Sequence, residues 1–315
     1  MASIPQQALN RQTDPRRGLA LMASAMMILP VMDAIAKYMA TIQDMSPAQV
    51  TFYRFFFQLV CTLPLLFFLK GATWRAKRPW MNLFRGMIHG AASLLFFVAV
   101  KYMPLVDVLA IYFVEPFILT AMSAVLLGER VGWRRWLAIA IGFGGALLVI
   151  QPSFALFGLK SLLPFGCAVL FSIYLFLNRA AGDADEPLTM QTIAGVGGSL
   201  FMGGALLAGT AGGIGDFEMS LPQSLWTLFL LLVLGALSGY GHLLVVRAFR
   251  LAPLSVLAPF QYLEIISATI LGYALFGEFP TLSRWLGIAI IVGSGLFIIW
   301  RERKSGMQEV ATPAP

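Results

Sequence analysis

The sequence predicts an all-α polytopic membrane protein, with ten transmembrane helices in two inverted five-helix repeats. Three observations carry that expectation. Apolar stretches long enough to cross a hydrocarbon core of about 30 Å fill nearly the whole chain, which is 59% hydrophobic and 12% charged. A pattern of prolines, glycines, tryptophans and glutamates recurs at an offset of 149 residues. Lysine and arginine crowd one side of the membrane that these stretches define.

The repeat is clearest between residues 101–150 and 251–299. The offset superposes Pro104 on Pro253, Leu105 on Leu254, Glu115 on Glu264 and Gly128-Glu129 on Gly277-Glu278. It also superposes Trp136-Leu137 on Trp285-Leu286 and Gly144 on Gly293. An offset near half of the 315 residues marks a duplicated unit. The expected organisation is an N-terminal tail at 1–17, repeats at 18–151 and 152–300, and a C-terminal tail at 301–315.

The expected spans are 18–40, 47–69, 81–101, 105–127, 133–151, 159–179, 188–210, 223–246, 254–276 and 283–300. Short connections make neighbouring spans antiparallel. Of the basic residues outside the span interiors, seventeen fall on one side and Lys101, Lys160 and Arg284 on the other. Positive charge stays in the cytoplasm, so both termini are expected there. Five spans per repeat is an odd number, so the second copy enters the membrane upside down. Inverted repeats of this kind place a transport site near the midplane between the copies. The spacings Gly86-x-x-x-Gly90 and Gly235-x-x-x-Gly239 let helix backbones approach. Prolines 30, 64, 116, 164 and 259 fall inside spans and mark candidate flex points, or static kinks filled by packing.

Several function classes find no support. The net charge of +7 sits mostly in loops, where it sets orientation, so no nucleic-acid partner is expected. Cys61 and Cys167 lie inside apolar runs, which argues against a structural disulfide or a metal cluster. Residues 1–17 are polar and precede a full-length apolar run, so no cleavable signal is expected, and Arg16-Arg17 lacks the context of a twin-arginine signal. Phosphate-loop, HExxH, Gly-x-Ser-x-Gly and Cys/His ligand patterns are absent. The expectation is a non-enzyme without cofactor or bound metal, its transport driven by an ion or by exchange.

Ionisable side chains inside spans cost roughly 2.5–3.5 kcal/mol on insertion scales, so each is a candidate functional group. Glu115 and Glu264 fall at the middle of the fourth and ninth spans. Tyr112 and Gln261 stand one turn before them, with Tyr262 adjacent, and are expected on the carboxylate faces. Each glutamate reads as a proton-coupling group, a counter-charge for a substrate cation, or a protonated acid bonded to a neighbouring helix. Asp33 and Lys37, at i and i+4, can pair along one helix face. Arg54 adds positive charge suited to a substrate carboxylate or phosphate, or else snorkels outward. His89 lies toward the middle of its span, whereas Arg85 and His242 are expected at the inner interface.

The stretches YMPLVDVLAIYFVEPFILT and LAPLSVLAPFQYLEIISAT, the L-x-G-E-R turn and the following W-L-x-I-A carry a family resemblance. Over residues 18–300 the chain resembles the drug/metabolite transporter superfamily, in its ten-helix bacterial form built from two EamA-like repeats. Phe279 and Ile265 depart from the first copy's Gly-Glu-Arg and Glu-Pro pairs. DAIAKYMA, FYRFFF and APFQYLEIISA look most like S-adenosylmethionine uptake carriers. The resemblance implies an inner-membrane secondary transporter working by alternating access, through proton coupling or exchange. The expected substrate is a small organic metabolite, amino-acid-like or S-adenosylmethionine-like. A riboflavin-type uptake carrier and a multidrug or lipophilic-cation exporter are the alternatives. The expected partners are that substrate and the lipid bilayer, with the chain a monomer or homodimer. The residues expected to bind substrate or protons are Glu115, Glu264, Tyr112, Gln261, Tyr262, Asp33, Lys37, Arg54 and His89.

Overall fold

The structure, a computed structural model, describes residues 14–68, 75–126, 133–181, 185–222, 224–251, 257 and 260–311. Among these there is no strand. The helices are α1 (Pro15–Thr41), α2 (Pro47–Phe68), α3 (Pro79–Tyr102), α4 (Leu105–Tyr112), α5 (Glu115–Leu126) and α6 (Trp133–Phe157). The second half contains α7 (Leu163–Ala181), α8 (Pro187–Ala211), α9 (Leu225–Leu251), α10 (Leu263–Phe276) and α11 (Leu282–Ala311). Among the described residues, seven segments are long and apolar enough to cross a membrane, and three shorter apolar helices bring the number to ten.

Local chemistry sets the helix starts. α1, α2, α3 and α8 each open on a proline. There the missing N–H would have had no helical partner, and the fixed φ suits the first turn. Asp14 adds a cap on α1, accepting from the Arg17 N–H at 3.1 Å. α10 ends on Gly277, at φ +68°. Glycine takes that left-handed value without steric cost. The turn lets the Glu278 N–H reach back to the Gly272 carbonyl at 3.0 Å and swings the Glu278 side chain toward α1.

The two halves interlock. α1 packs on α9 and α10, α3 on α7 and α8, α2 on α8 and α9, and α6 on α11. Exchanging the halves maps α1–α9 onto α7–α3, and α2–α9 onto α8–α3. The pairs α2–α8 and α6–α11 map onto themselves. Phe113 and Tyr262 are equivalent at the 149-residue offset, and their rings lie 5.5 Å apart. Contact between equivalent residues marks the pseudo-twofold axis.

Both predicted glycine pairs lie at helix crossings, and they too are equivalent at that offset. A Cβ on Gly86 would lie 2.2 Å from the Ala194 carbonyl oxygen, so α3 and α8 meet backbone to backbone. A Cβ on Gly235 would lie 2.4 Å from Cβ of Phe57, where α9 meets α2. Large apolar side chains such as Phe68, Leu207, Leu225 and Ile270 point outward instead. That is the pattern of a chain whose solvent is lipid.

The fourth and ninth spans, expected as continuous helices, are both broken. α4 ends at Tyr112, Phe113 and Val114 form a turn, and α5 starts at Glu115. In the second copy Gln261 is helical, Tyr262 is a turn, and α10 starts at Leu263. In the first copy the cause is Pro116, which has no N–H for the Tyr112 carbonyl and whose ring would clash with it. The second copy has Ile265 in that place. Pro259, which precedes its break, lies outside the described residues.

Gly86→Ala and Gly235→Ala are expected to lower the unfolding temperature of the detergent-purified protein, because the obstruction is backbone or a Cβ rather than a flexible side-chain tip. Gly144→Ala, with nothing within 4 Å of its added methyl, should leave it unchanged or slightly raised. Equal melting of all three variants would sink the close-approach argument.

Candidate functional site

The breaks place Glu115 in the first turn of α5 and Glu264 in the first turn of α10. Discontinuous helices at a repeat interface fit the general geometry of transporter sites. Glu115 is buried, and its Oε1 has no hydrogen-bond partner among the described residues. Glu264 is half-buried and within electrostatic reach of both Glu115 and Asp33. Tyr112 lies within reach of all three carboxylates, and Tyr262 within reach of Glu115. The break separates Tyr112 from the α5 face, so it meets Glu115 across a turn and not along one helix as the spacing implied. Gln261 is half-buried and makes no hydrogen bond to these carboxylates among the described residues.

Beside the acids lies a cationic cluster. Arg54 on α2 is buried and does not snorkel. Its Nε donates to Ser238 Oγ at 2.9 Å, its Nη1 to Ser93 Oγ, and its Nη2 approaches His89 Nε2 at 3.3 Å. The guanidinium also lies 5.0 Å from the centre of the Phe55 ring and 5.7 Å from that of Phe97. His89 stacks on Tyr174 at 4.6 Å and lies 5.0 Å from His242. The repeat relates these groups pairwise: His89 is equivalent to Ser238, and Ser93 to His242. Each repeat thus contributes a histidine and a serine one helical turn apart, in opposite order.

Arg85 and His242, expected at the inner interface, both face the interior of the bundle. Arg85 is 1% exposed, with its guanidinium 5.9 Å from the Tyr174 ring centre. His242 is likewise turned inward, its ring against His89 and its Nδ1 at 2.9 Å from the Ser238 carbonyl. Position along a helix gives depth but not face; here α3 turns Arg85 toward α7. The site residues missed from sequence are Arg85, Tyr174, His242, Ser93 and Ser238. The i, i+4 pairs Arg85/His89 and Ser238/His242 were the available signal.

Lys37 does not pair with Asp33. Its Nζ donates to the Met103 carbonyl at 2.8 Å and to Glu278 Oε1 at 2.5 Å. Glu278 Oε2 in turn accepts from the Leu105 N–H at 3.1 Å, capping α4. Nearby, Arg284 Nη2 meets Asp107 Oδ2 at 2.9 Å. These two pairs tie α1, α4, the α10 end and the start of α11 into one seal. A surface cleft of about 510 Å³, lined by Lys37, Lys101, Tyr102, Phe276 and Glu278 among others, lies at that seal. At the opposite end Asp185 accepts from the Lys77 N–H at 2.6 Å and Asn82 Nδ2 at 2.8 Å. Burial alone would raise the Asp185 pKa, but these bonds outweigh it and hold it below the usual carboxylate range.

The chain belongs to the EamA-like transporter family, whose model matches residues 16–151 and 159–300. It is 25% identical over 278 residues to an S-adenosylmethionine uptake transporter of Rickettsia bellii, covering 88% of this chain and 91% of the relative. It is 28% identical over 294 residues to a riboflavin transporter of Vibrio cholerae, covering 92% and 96%. A solved crystal structure shares the fold at a TM-score of 0.62 and 16% identity, covering 91% of this chain and 98% of the other. The protein is thus a multi-pass membrane transporter of a small molecule, and not an enzyme.

Two expectations follow from the ends of the molecule. Lys37→Met and Glu278→Gln should each lower the unfolding temperature, and the double variant should lose less than the sum. The coupling should be about 1–3 kcal/mol in a double-mutant cycle, and strict additivity would refute the seal. Asp185→Asn should melt lower than wild type at neutral pH. Because the folded-state pKa is depressed, the Asp185 contribution is full above the unfolded value near 3.8. It fades as pH falls through the folded value, so the gap should close in acid. A gap that persists there would point to a cause other than the carboxylate.

Proposed function

We propose that the protein is an inner-membrane secondary transporter that moves a small amino-acid-like or S-adenosylmethionine-like metabolite by alternating access. Both termini are cytoplasmic, it works as a monomer or homodimer, and proton coupling or exchange drives it. The observation that carries this reading is one interior that joins three carboxylates, Asp33, Glu115 and Glu264, to the Arg54–His89 cluster. An interior with both signs of charge suits a zwitterion: acids answer an ammonium or sulfonium, bases a carboxylate. Glu115 and Glu264 hold the substrate cation or a proton, and Tyr112, Gln261, Tyr262 and His89 line the path. Asp33, Lys37 and Arg54 tune its outer part. The S-adenosylmethionine uptake relatives support the substrate class.

A second reading, uptake of riboflavin or another aromatic vitamin, is favoured by the rings around the same interior. Phe96, Tyr112, Phe171 and Tyr174 form a connected aromatic set, and riboflavin transporters are among the relatives.

Counterflow in proteoliposomes tests both. Vesicles preloaded with unlabelled S-adenosylmethionine, an amino acid or riboflavin would be offered the same compound labelled, with and without a pH gradient. Labelled S-adenosylmethionine or an amino acid should accumulate, and Glu115→Gln or Glu264→Gln should reduce the rate at least about tenfold, the loss of roughly 1.4 kcal/mol. Accumulation of riboflavin alone would select the second reading. Unchanged exchange in both variants would remove the glutamates from the mechanism, and competition by lipophilic cations alone would indicate an exporter.

A further inference from the structure

Among the described residues, no carboxylate bonds the guanidinium of Arg54 or of Arg85. Arg54 spends its donors on neutral partners, two serine hydroxyls and a histidine nitrogen. Arg85 spends fewer: its Nε and Nη1 are buried and have no hydrogen-bond partner among the described residues. A third unspent donor stands beside them. Guanidinium nitrogens can only donate, so His89 Nε2 accepts from Arg54 and the ring proton belongs on Nδ1. That Nδ1 is also buried and has no hydrogen-bond partner among the described residues.

These donors gather about one ring. His89 stacks on Tyr174 at 4.6 Å, and the Arg85 guanidinium lies 5.9 Å from the same ring's centre. Arg85 and His89 are one turn apart on α3, so they share a face. The nearby acids are already engaged or lie elsewhere. Asp185, within electrostatic reach of Arg85, accepts from Lys77 and Asn82, while Asp33 neighbours Arg54. Leaving a buried cation and an imidazole N–H unanswered is costly. An arriving anion would recover that cost through charge-assisted bonds to the guanidinium edge.

We propose that Arg85 and His89, braced by Arg54 and Tyr174, form a built subsite for an anionic group of the transported molecule, a carboxylate or a phosphate. That the bound molecule is transported rests on the carrier reading above; the anion site itself does not. The subsite sits between α2, α3, α7 and α9, on the cationic side of the interior, away from the Glu115–Glu264 pair. A molecule bearing both a cation and an anion would span the two.

The test is thermal unfolding of the purified full-length protein in detergent, with acetate or inorganic phosphate replacing chloride at matched ionic strength. Wild type should gain about 3 °C in one of the two anions. Acetate as the stabiliser assigns a carboxylate; phosphate assigns a phosphoryl group. Arg85→Gln should abolish the gain, and Arg85→Lys should keep only part of it, because the charge stays while the two-pronged donor is lost. If Arg85→Gln does not fold, Arg85→Lys and His89→Gln decide the matter. No gain in wild type, or an undiminished gain in the variants, overturns the subsite. Since no flux is measured, that failure would leave the carrier reading standing, and silent counterflow would not obscure a positive result.

Discussion

The approach of two helix pairs at Gly86 and Gly235 is the contact on which the rest of the interior depends. α3 can lie on α8, and α9 on α2, only because neither glycine carries a methyl. Lipid offers no hydrophobic force to press helices together, so their association relies on backbone approach, dispersion and hydrogen bonds. Arg54, Ser93, His89 and Ser238 come from α2, α3 and α9. They meet within hydrogen-bond distance because these crossings are tight. Widening either crossing would loosen the polar cluster before it disturbed any single helix.

Charge is then distributed by what each group can reach. At the sealed end a lysine finds a glutamate 241 residues away in sequence and an arginine finds Asp107, so the ion pairs staple helices that are remote along the chain. In the interior Asp33 lies within electrostatic reach of Arg54, but among the described residues the guanidinium bonds only serine and histidine. Breaking a buried pair by removing one partner costs several kcal/mol, so paired charges suit a seal. Unpaired ones suit a place where a ligand supplies the missing partner. The same side-chain types thus act as structure at one level of the membrane and as a candidate binding surface at another.

Much of this was legible in the sequence. Span length, the 149-residue offset and the two glutamates are properties of pattern, and pattern survives folding. Pro116 marked a candidate flex point or kink in the fourth span, where the structure has a break, though the matching break at Tyr262 has no proline in the equivalent place. What the sequence withheld were choices among partners. The i, i+4 spacing of Asp33 and Lys37 established a shared face, but the Met103 carbonyl and Glu278 lay closer to the ammonium. Arg54 and Arg85 look alike in one dimension to arginines that snorkel. Only the helices around them decide that their guanidiniums have no route to the surface.

The duplication also explains why the interior is polar in the way it is. His89 and Ser238 are equivalent, as are Ser93 and His242, so the two repeats bring the same pair of residue types in reversed order to the two sides of Arg54. Each half gives the guanidinium one serine hydroxyl, and the two histidines meet face to tilted face at 5.0 Å. Arg85 breaks the correspondence, because Leu234 stands at its equivalent position. A perfectly symmetric pair of repeats would have either two such cations or none. Arg54 has no counterpart either, since α8, the copy of α2, carries no lysine or arginine. Divergence at these two positions therefore gives the interior a polarity that the fold alone does not have: the frame is twofold, and both cations come from the first repeat.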